Sequence, residues 1–174
     1  MRSKRPLTKH PEFDCYVVTL TRGKTCLVDN EDAEWVSRHN WHAAVGGLYA
    51  ARATTTNRVH ELLFLHRELL LKTDELPKGL EVDHINGDKL DNRRSNLRSC
   101  THDQNCKNQK LPRDSKSGFR GVSWARCGKW SSQIVVNGVQ IYLGRFKTPE
   151  EAHAAYEAAA VKHFGEFKRD PSAY

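Results

Sequence analysis

Twenty-five residues from Glu81 to Asn105, EVDHINGDKLDNRRSNLRSCTHDQN, constrain this chain more than any other stretch. They pack an Asp-His pair, an Asn-Gly turn and a run of carboxamides more densely than core or ordinary surface requires. Asn-Gly favours a tight turn. The stretch therefore predicts a β-hairpin carrying Asp83 and His84, a turn at Asn86 and Gly87, and a short helix that brings Asn105 back to them.

These groups suit the cleavage of a phosphodiester, which needs a base for water, a cation to neutralise developing charge, and a scaffold that orients both. An imidazole titrates near neutral pH, so His84 fits the first task. Asp83 and Asn105 offer hard oxygens, better suited to Mg²⁺ or Mn²⁺ than to zinc. Magnesium keeps much of its water and commonly takes one or two protein ligands, so two oxygens suffice. An EF-hand needs oxygen ligands at its third and fifth positions. Counted from Asp83, those are Ile85 and Gly87, so calcium is a poor fit.

VDHINGDKLDNRRSNLR followed by CTHDQN resembles the HNH nucleases of the ββα-metal type, found in homing endonucleases of phages and bacteria. The resemblance implies that His84 is the general base and that Asp83 and Asn105 ligate one divalent ion. It also implies that Asn96 braces the hairpin, and that the upstream His66 and Arg67 have a supporting or phosphate-facing role. Arg93 and Arg94 are further supporting candidates. The expected products are a 5′-phosphate and a 3′-hydroxyl.

With 174 residues, 38% of them hydrophobic and 28% charged, the chain reads as one large or two small globular domains. No apolar run approaches the roughly 18 residues of a membrane span. The N-terminal MRSKRPLTKHPEF lacks the apolar core of a secretory signal, so a cytoplasmic protein is expected. The resemblance adds a bacterial cell and a phage-type origin. A net charge of +7 favours a polyanionic partner. Five cysteines without a C-x-x-C pair read as free thiols, a zinc site on Cys100, His102 and Cys106 being the alternative.

Residues 1–58 read as a small α+β scaffold. YVVTLT and TCLVD flank a turn at Arg22, Gly23 and Lys24, Asn30 is expected to cap a helix, and LYAARAT forms another strand. His39 and His42 read as packing or surface histidines. Residues 59–106 form the nuclease core, opening with VHELLFLHRELLL, predicted to run as a buried strand that turns into a helix near His66. Residues 107–117 form a polar linker whose Lys107, Lys110, Arg113 and Lys116 suit a phosphate backbone.

Residues 118–174 predict a second unit: three antiparallel strands, the last two joined at Asn137-Gly138, packed on one helix. Thr148, Pro149 and Glu151 supply a cap, a first-position proline and a capping box, and Gly165 ends the helix. Alternation turns Trp130, Ile134, Val136, Val139, Ile141 and Leu143 towards the helix, and Gln133, Val135, Gln140 and Tyr142 away from it. From Lys107 to Lys147 there are nine Lys or Arg against one acid, so linker and sheet concentrate the charge. A three-stranded sheet of this kind fits a DNA groove.

FRGVSW, GKWSSQI, YLGRF and TPEEAHAAYEAAA resemble the apetala-two or ethylene-response-factor DNA-binding domain. Carried over, the resemblance implies DNA-binding roles for Arg120, Gly121, Gln133 and Tyr142, to which the sheet adds Trp124, Arg126, Lys129, Gln140 and Arg145. Ser123, Ala125 and Val135 stand where plant members place base-reading Arg, so no target sequence follows. The whole reads as an α+β, metal-dependent endonuclease of homing type, a monomer acting on double-stranded DNA with one Mg²⁺ or Mn²⁺. A non-catalytic sequence-specific DNA-binding regulator is the alternative. An RNA-directed protein would show a stacking pattern of aromatics that is not evident.

Overall fold

A computed structural model describes residues 6–56, 58–73, 76–107 and 115–165. It is a mixed α+β structure of small antiparallel sheets and four helices among the described residues, and it divides into two compact units, one ending at His102 and one running from Asp103.

In the first unit, β1 (Leu7–Lys9), β2 (Cys15–Thr19) and β3 (Thr25–Asp29) form one sheet, with Arg22 and Gly23 turning the chain at positive φ. The helix α1 (Asn30–Ser37) follows directly. Its capping position is Asp29 rather than the expected Asn30, and the Asp29 side chain does not cap: its Oδ2 accepts the Arg94 backbone N–H at 2.6 Å. His39 packs edge-on against the rings of Trp35 and Trp41, while His42 opens the next strand, half-buried.

A second sheet runs β4 (His42–Ala44), β5 (Tyr49–Thr56), β6 (Val59–Phe64). The chain then switches to α2 (Leu65–Lys72) at the expected place. Contrary to the expected buried strand, β6 is largely exposed, with Val59 and Leu62 open to solvent. It is an edge strand, and among the described residues its apolar side chains at Val59 and Leu62 are left exposed.

The third sheet pairs β7 (Glu81–His84) with β8 (Leu97–Cys100), Asp83 standing opposite Arg98 and His84 opposite Leu97. The Asn86–Gly87 turn forms, with the Gly87 N–H donating to His84 O at 2.8 Å, but it does not close a short hairpin. The chain runs on through residues 88–96 before β8, and this excursion docks on β3: Leu27 N–H donates to Leu90 O, and Asn92 N–H to Leu27 O, both at 2.9 Å. One core, containing Val18, Val28, Val36, Trp41, Leu65, Leu69, Val82 and Leu97, lies under all three sheets. Burying such side chains contributes about 1.5–3 kcal/mol each. The N-terminal sheet and the hairpin are thereby held by the same packing.

α3 (His102–Lys107) leads into the second unit, where β9 (Val122–Ala125), β10 (Lys129–Val136) and β11 (Val139–Phe146) form an antiparallel sheet against α4 (Pro149–Phe164). Asn137 and Gly138 both take positive φ, as a tight two-residue turn demands. The capping box at Thr148 and Glu151 is complete, and Gly165 ends α4. Ala152, Tyr156 and Ala160 form the buried stripe over Ile134, Val136, Ile141 and Leu143. Val139, expected to face the helix, is 64% exposed at the hairpin tip. Alternation fixes the side of a residue, not whether anything covers it.

Candidate active site

His84 is the last residue of β7 and is buried. Its ring meets the His66 ring edge-on, with centroids 5.1 Å apart, and faces Tyr49 at 6.3 Å. Tyr49 and Phe64 flank His66 in turn, at 5.3 and 5.7 Å, and Lys89 lies 4.7 Å over the Tyr49 ring. Burial lowers the His84 pKa, while the neighbouring Asn92 side chain and the charges of Asp83, Asp88 and Asp91 work against that. His66 is pushed down to about 3, first by burial and then by His84, Arg67 and Lys89. Both rings are therefore neutral at cellular pH, the state in which an imidazole can accept a proton.

The loop that follows His84 is tied by its own carboxamides. Asn96 Oδ1 accepts the Asn86 N–H at 2.9 Å, and Asn96 Nδ2 donates to Asp91 O at 2.8 Å, so one buried side chain spans both arms. Asn86 Oδ1 accepts the Asp88 N–H, and Asn86 Nδ2 donates to Asp91 Oδ2 at 3.0 Å. Burial alone would raise the Asp91 carboxyl, but the hydrogen bonds and charge of Arg93 overcome it and hold its pKa low. Arg93 is thus engaged with Asp91, and Arg94 with the buried Asp32. Arg67 is exposed on α2, whereas His66 lies inside the aromatic cluster.

Asp83 is buried and receives two hydrogen bonds from Arg98, Nε at 3.0 Å and Nη2 at 2.7 Å, both to Oδ2. Asn105 lies half-buried on α3, among the residues of the second unit. Among the described residues no cluster of three or more His, Cys, Asp or Glu side chains could hold a metal ion. The zinc alternative on Cys100, His102 and Cys106 therefore has no cluster behind it; His102 Nδ1 is instead 2.9 Å from Glu81 Oε1. A buried carboxylate such as Asp83 offers the hard oxygen that a cation like Mg²⁺ prefers, and such a cation draws most of its remaining ligands from water and phosphate.

Sequence reasoning missed three residues of this site. Arg98 faces Asp83 only because of the strand register. Asn92, fully buried with its Nδ2 donating to Leu90 O, reads in sequence as one more turn-forming Asn. Tyr49 sits in an ordinary strand pattern.

In the second unit, Gln133 stands opposite Tyr142, and Gln140 Nε2 donates to Gln133 Oε1 at 2.6 Å. Tyr142 and Trp124 are exposed, as are Arg126, Lys129, Arg145 and Lys116. Trp124 pairs edge-on with Trp130 across β9 and β10. Arg120 is half-buried and hydrogen-bonds Tyr156, whose phenol burial pushes up. Gly121 lies under the Tyr156 ring. Lys110, Arg113 and the Lys107 side chain fall outside the described residues. No described helix is long and apolar enough to cross a membrane.

Residues 71–107 match the family model for HNH endonuclease, a span that takes in β7, the carboxamide loop, β8 and α3. The chain is 29% identical over 154 residues to an uncharacterized HNH endonuclease of Acanthamoeba polyphaga mimivirus, an alignment covering 87% of this chain and 78% of that protein. Over 60 residues it is 45% identical to an AP2-like ethylene-responsive transcription factor of Arabidopsis thaliana, which spans 34% of this chain and only 12% of the plant protein. Among solved structures, the HNH homing endonuclease I-HmuI aligns with 85% of this chain and 79% of its own, at 16% identity and a TM-score of 0.38.

Proposed function

We propose that the chain is a metal-dependent DNA endonuclease of homing type, with His84 as its general base. The observation that carries this reading is a buried, neutral His84 held beside Asp83 on a braced hairpin, inside the segment that matches the HNH endonuclease model. Burial keeps the ring able to accept a proton from water, and the aromatic cluster of His66 and Tyr49 limits its orientations. Asn96, by spanning both arms of the loop, fixes where β7 ends and hence where His84 points.

Asp83 and Asn105 would hold one Mg²⁺ or Mn²⁺, which when bound neutralises charge on the phosphate and on the leaving oxygen. Attack with loss of the 3′ oxygen gives a 5′-phosphate and a 3′-hydroxyl. In the second unit, Gln133, Gln140, Tyr142 and Arg145, with Arg120, Trp124, Arg126 and Lys129, would meet the DNA groove. Lys107, Lys110, Arg113 and Lys116 would follow its backbone.

The test is a supercoiled-plasmid assay of wild type and His84→Ala with Mg²⁺, Mn²⁺ or EDTA, alongside a DNA-binding measurement. Wild type should nick or cut only with metal, and H84A should bind equally but leave the plasmid intact. Equal cutting by H84A would end the assignment. The similarity to the plant transcription factor favours a second reading, a DNA-binding regulator, and that reading prevails if both proteins bind while neither cuts phage or bacterial genomic DNA.

A further inference from the structure

We propose that Arg98 is a positioning residue for Asp83, holding its carboxylate in place and keeping its affinity for a divalent cation low until a phosphate arrives. The inference rests on the nuclease reading, in which Asp83 is the cation's ligand.

Asp83 and Arg98 are directly opposed across β7 and β8, and their side chains are 6% and 14% exposed. Two guanidinium N–H groups converge on one carboxylate oxygen, Oδ2, at 2.7 and 3.0 Å. A carboxylate this buried needs a counter-charge, and Arg98 supplies it in the resting protein. That counter-charge is permanent, because arginine does not deprotonate at any pH a protein survives. A divalent cation at Asp83 must therefore share the carboxylate with a fixed positive charge only ångströms away.

Two consequences follow from Coulomb's law. Like-charge repulsion weakens the resting site, and the cation is held firmly only when further negative charge joins it. The negative charge that a nuclease meets is the substrate phosphate, so Arg98 couples cation retention to substrate. The same two hydrogen bonds restrict the rotation of Asp83, keeping its carboxylate in one orientation.

Mn²⁺ alone, without DNA, is the probe. Its binding to the full-length wild type, Arg98→Gln, Arg98→Lys, Asp83→Asn and the R98Q/D83N double variant is followed by calorimetry and by the Mn²⁺ paramagnetic signal. Melting temperatures with Mn²⁺ and with EDTA are measured in parallel. R98Q should bind Mn²⁺ roughly ten-fold tighter than wild type, since removing one positive charge from a site this close changes affinity by at least that factor. Its melting temperature should also rise more on adding Mn²⁺. R98K keeps the charge and should bind as wild type does, while D83N should remove the response in either background.

If R98Q folds only when Mn²⁺ is added, the same conclusion holds, because the metal has then replaced the missing counter-charge. Binding by R98Q no tighter than wild type, or equal tightening in R98K, overturns the proposal. Cleavage plays no part in this readout. A wild type that never cuts would end the nuclease reading and leave the Mn²⁺ series standing; a series that ignores Asp83 would end this inference and leave the H84A result standing.

Discussion

Asp32 and Arg94, 62 positions apart, meet in a two-pronged ion pair at 2.8 and 2.9 Å, with the Asp32 side chain almost wholly out of water. Asp32 lies on α1 and Arg94 in the loop that follows His84, so the pair clamps the candidate active loop to the N-terminal segment. Asp29 adds to the clamp by accepting the Arg94 backbone N–H. Removing one partner of a buried pair costs about 3–5 kcal/mol when the other charge is left uncompensated, and because Arg94 also pairs with Glu31 at 2.7 Å the loss should fall at the lower end. Asp32→Ala should therefore lower the unfolding free energy from urea denaturation by about 3 kcal/mol, and its midpoint accordingly. Asp32→Leu combined with Arg94→Met, which removes both charges, should recover much of it. An unchanged midpoint in D32A would show that the pair is only a surface contact.

His66 makes the fold acid-sensitive. Its folded pKa is about 3 against an ordinary 6.5, so between those values the unfolded chain binds a proton that the folded chain refuses. The stability it contributes is complete above about pH 6.5 and is lost as pH falls towards 3, up to a few kcal/mol at roughly 1.4 kcal/mol per unit. His66→Phe keeps a ring against His84, Tyr49 and Phe64 but cannot titrate. Denaturation measured from pH 7 to pH 4 should show a shallower fall for H66F than for wild type. Parallel curves would place the acid sensitivity elsewhere, with His84 and Asp91, which shift in the same destabilising direction on acidification.

What could be read from the sequence was local. The hairpin of β2 and β3, the strand-to-helix switch between Phe64 and Leu65, and the cap at Thr148 each depend on neighbours a few residues away. Asp83, His84, Asn96 and Asn105 stood out because their types and spacing resemble those of the HNH nucleases. Arg98 did not, since its role needs the register that sets it opposite Asp83. Asn92 needed the docking of its loop on Leu27, and the exposure of β6 needed the strand order that leaves it at an edge. Even the alternation of β10 and β11 is interrupted by a register shift between Ser132 and Gln133, which no composition signals.

Gly121 separates packing from DNA contact in the second unit. Its φ is +69°, and a Cβ there would lie 2.2 Å from Tyr156 Cδ2 and 2.4 Å from Gln133 O, with backbone that cannot yield. Gln133 N–H also donates to Gly121 O at 2.9 Å, so the glycine joins the first strand to the one carrying Gln133. Gly121→Ala should destabilise the unit by more than about 3 kcal/mol, the range of severe overpacking with added backbone strain. Gly128→Ala, at φ +75° but in open space, should lose only the conformational part, about 1–2 kcal/mol. Thermal melts of the two variants beside a DNA-binding titration decide the role. If G121A loses affinity only in step with unfolding, the glycine acts through the sheet. If it melts like wild type and still fails to bind, then Gly121 touches the DNA itself.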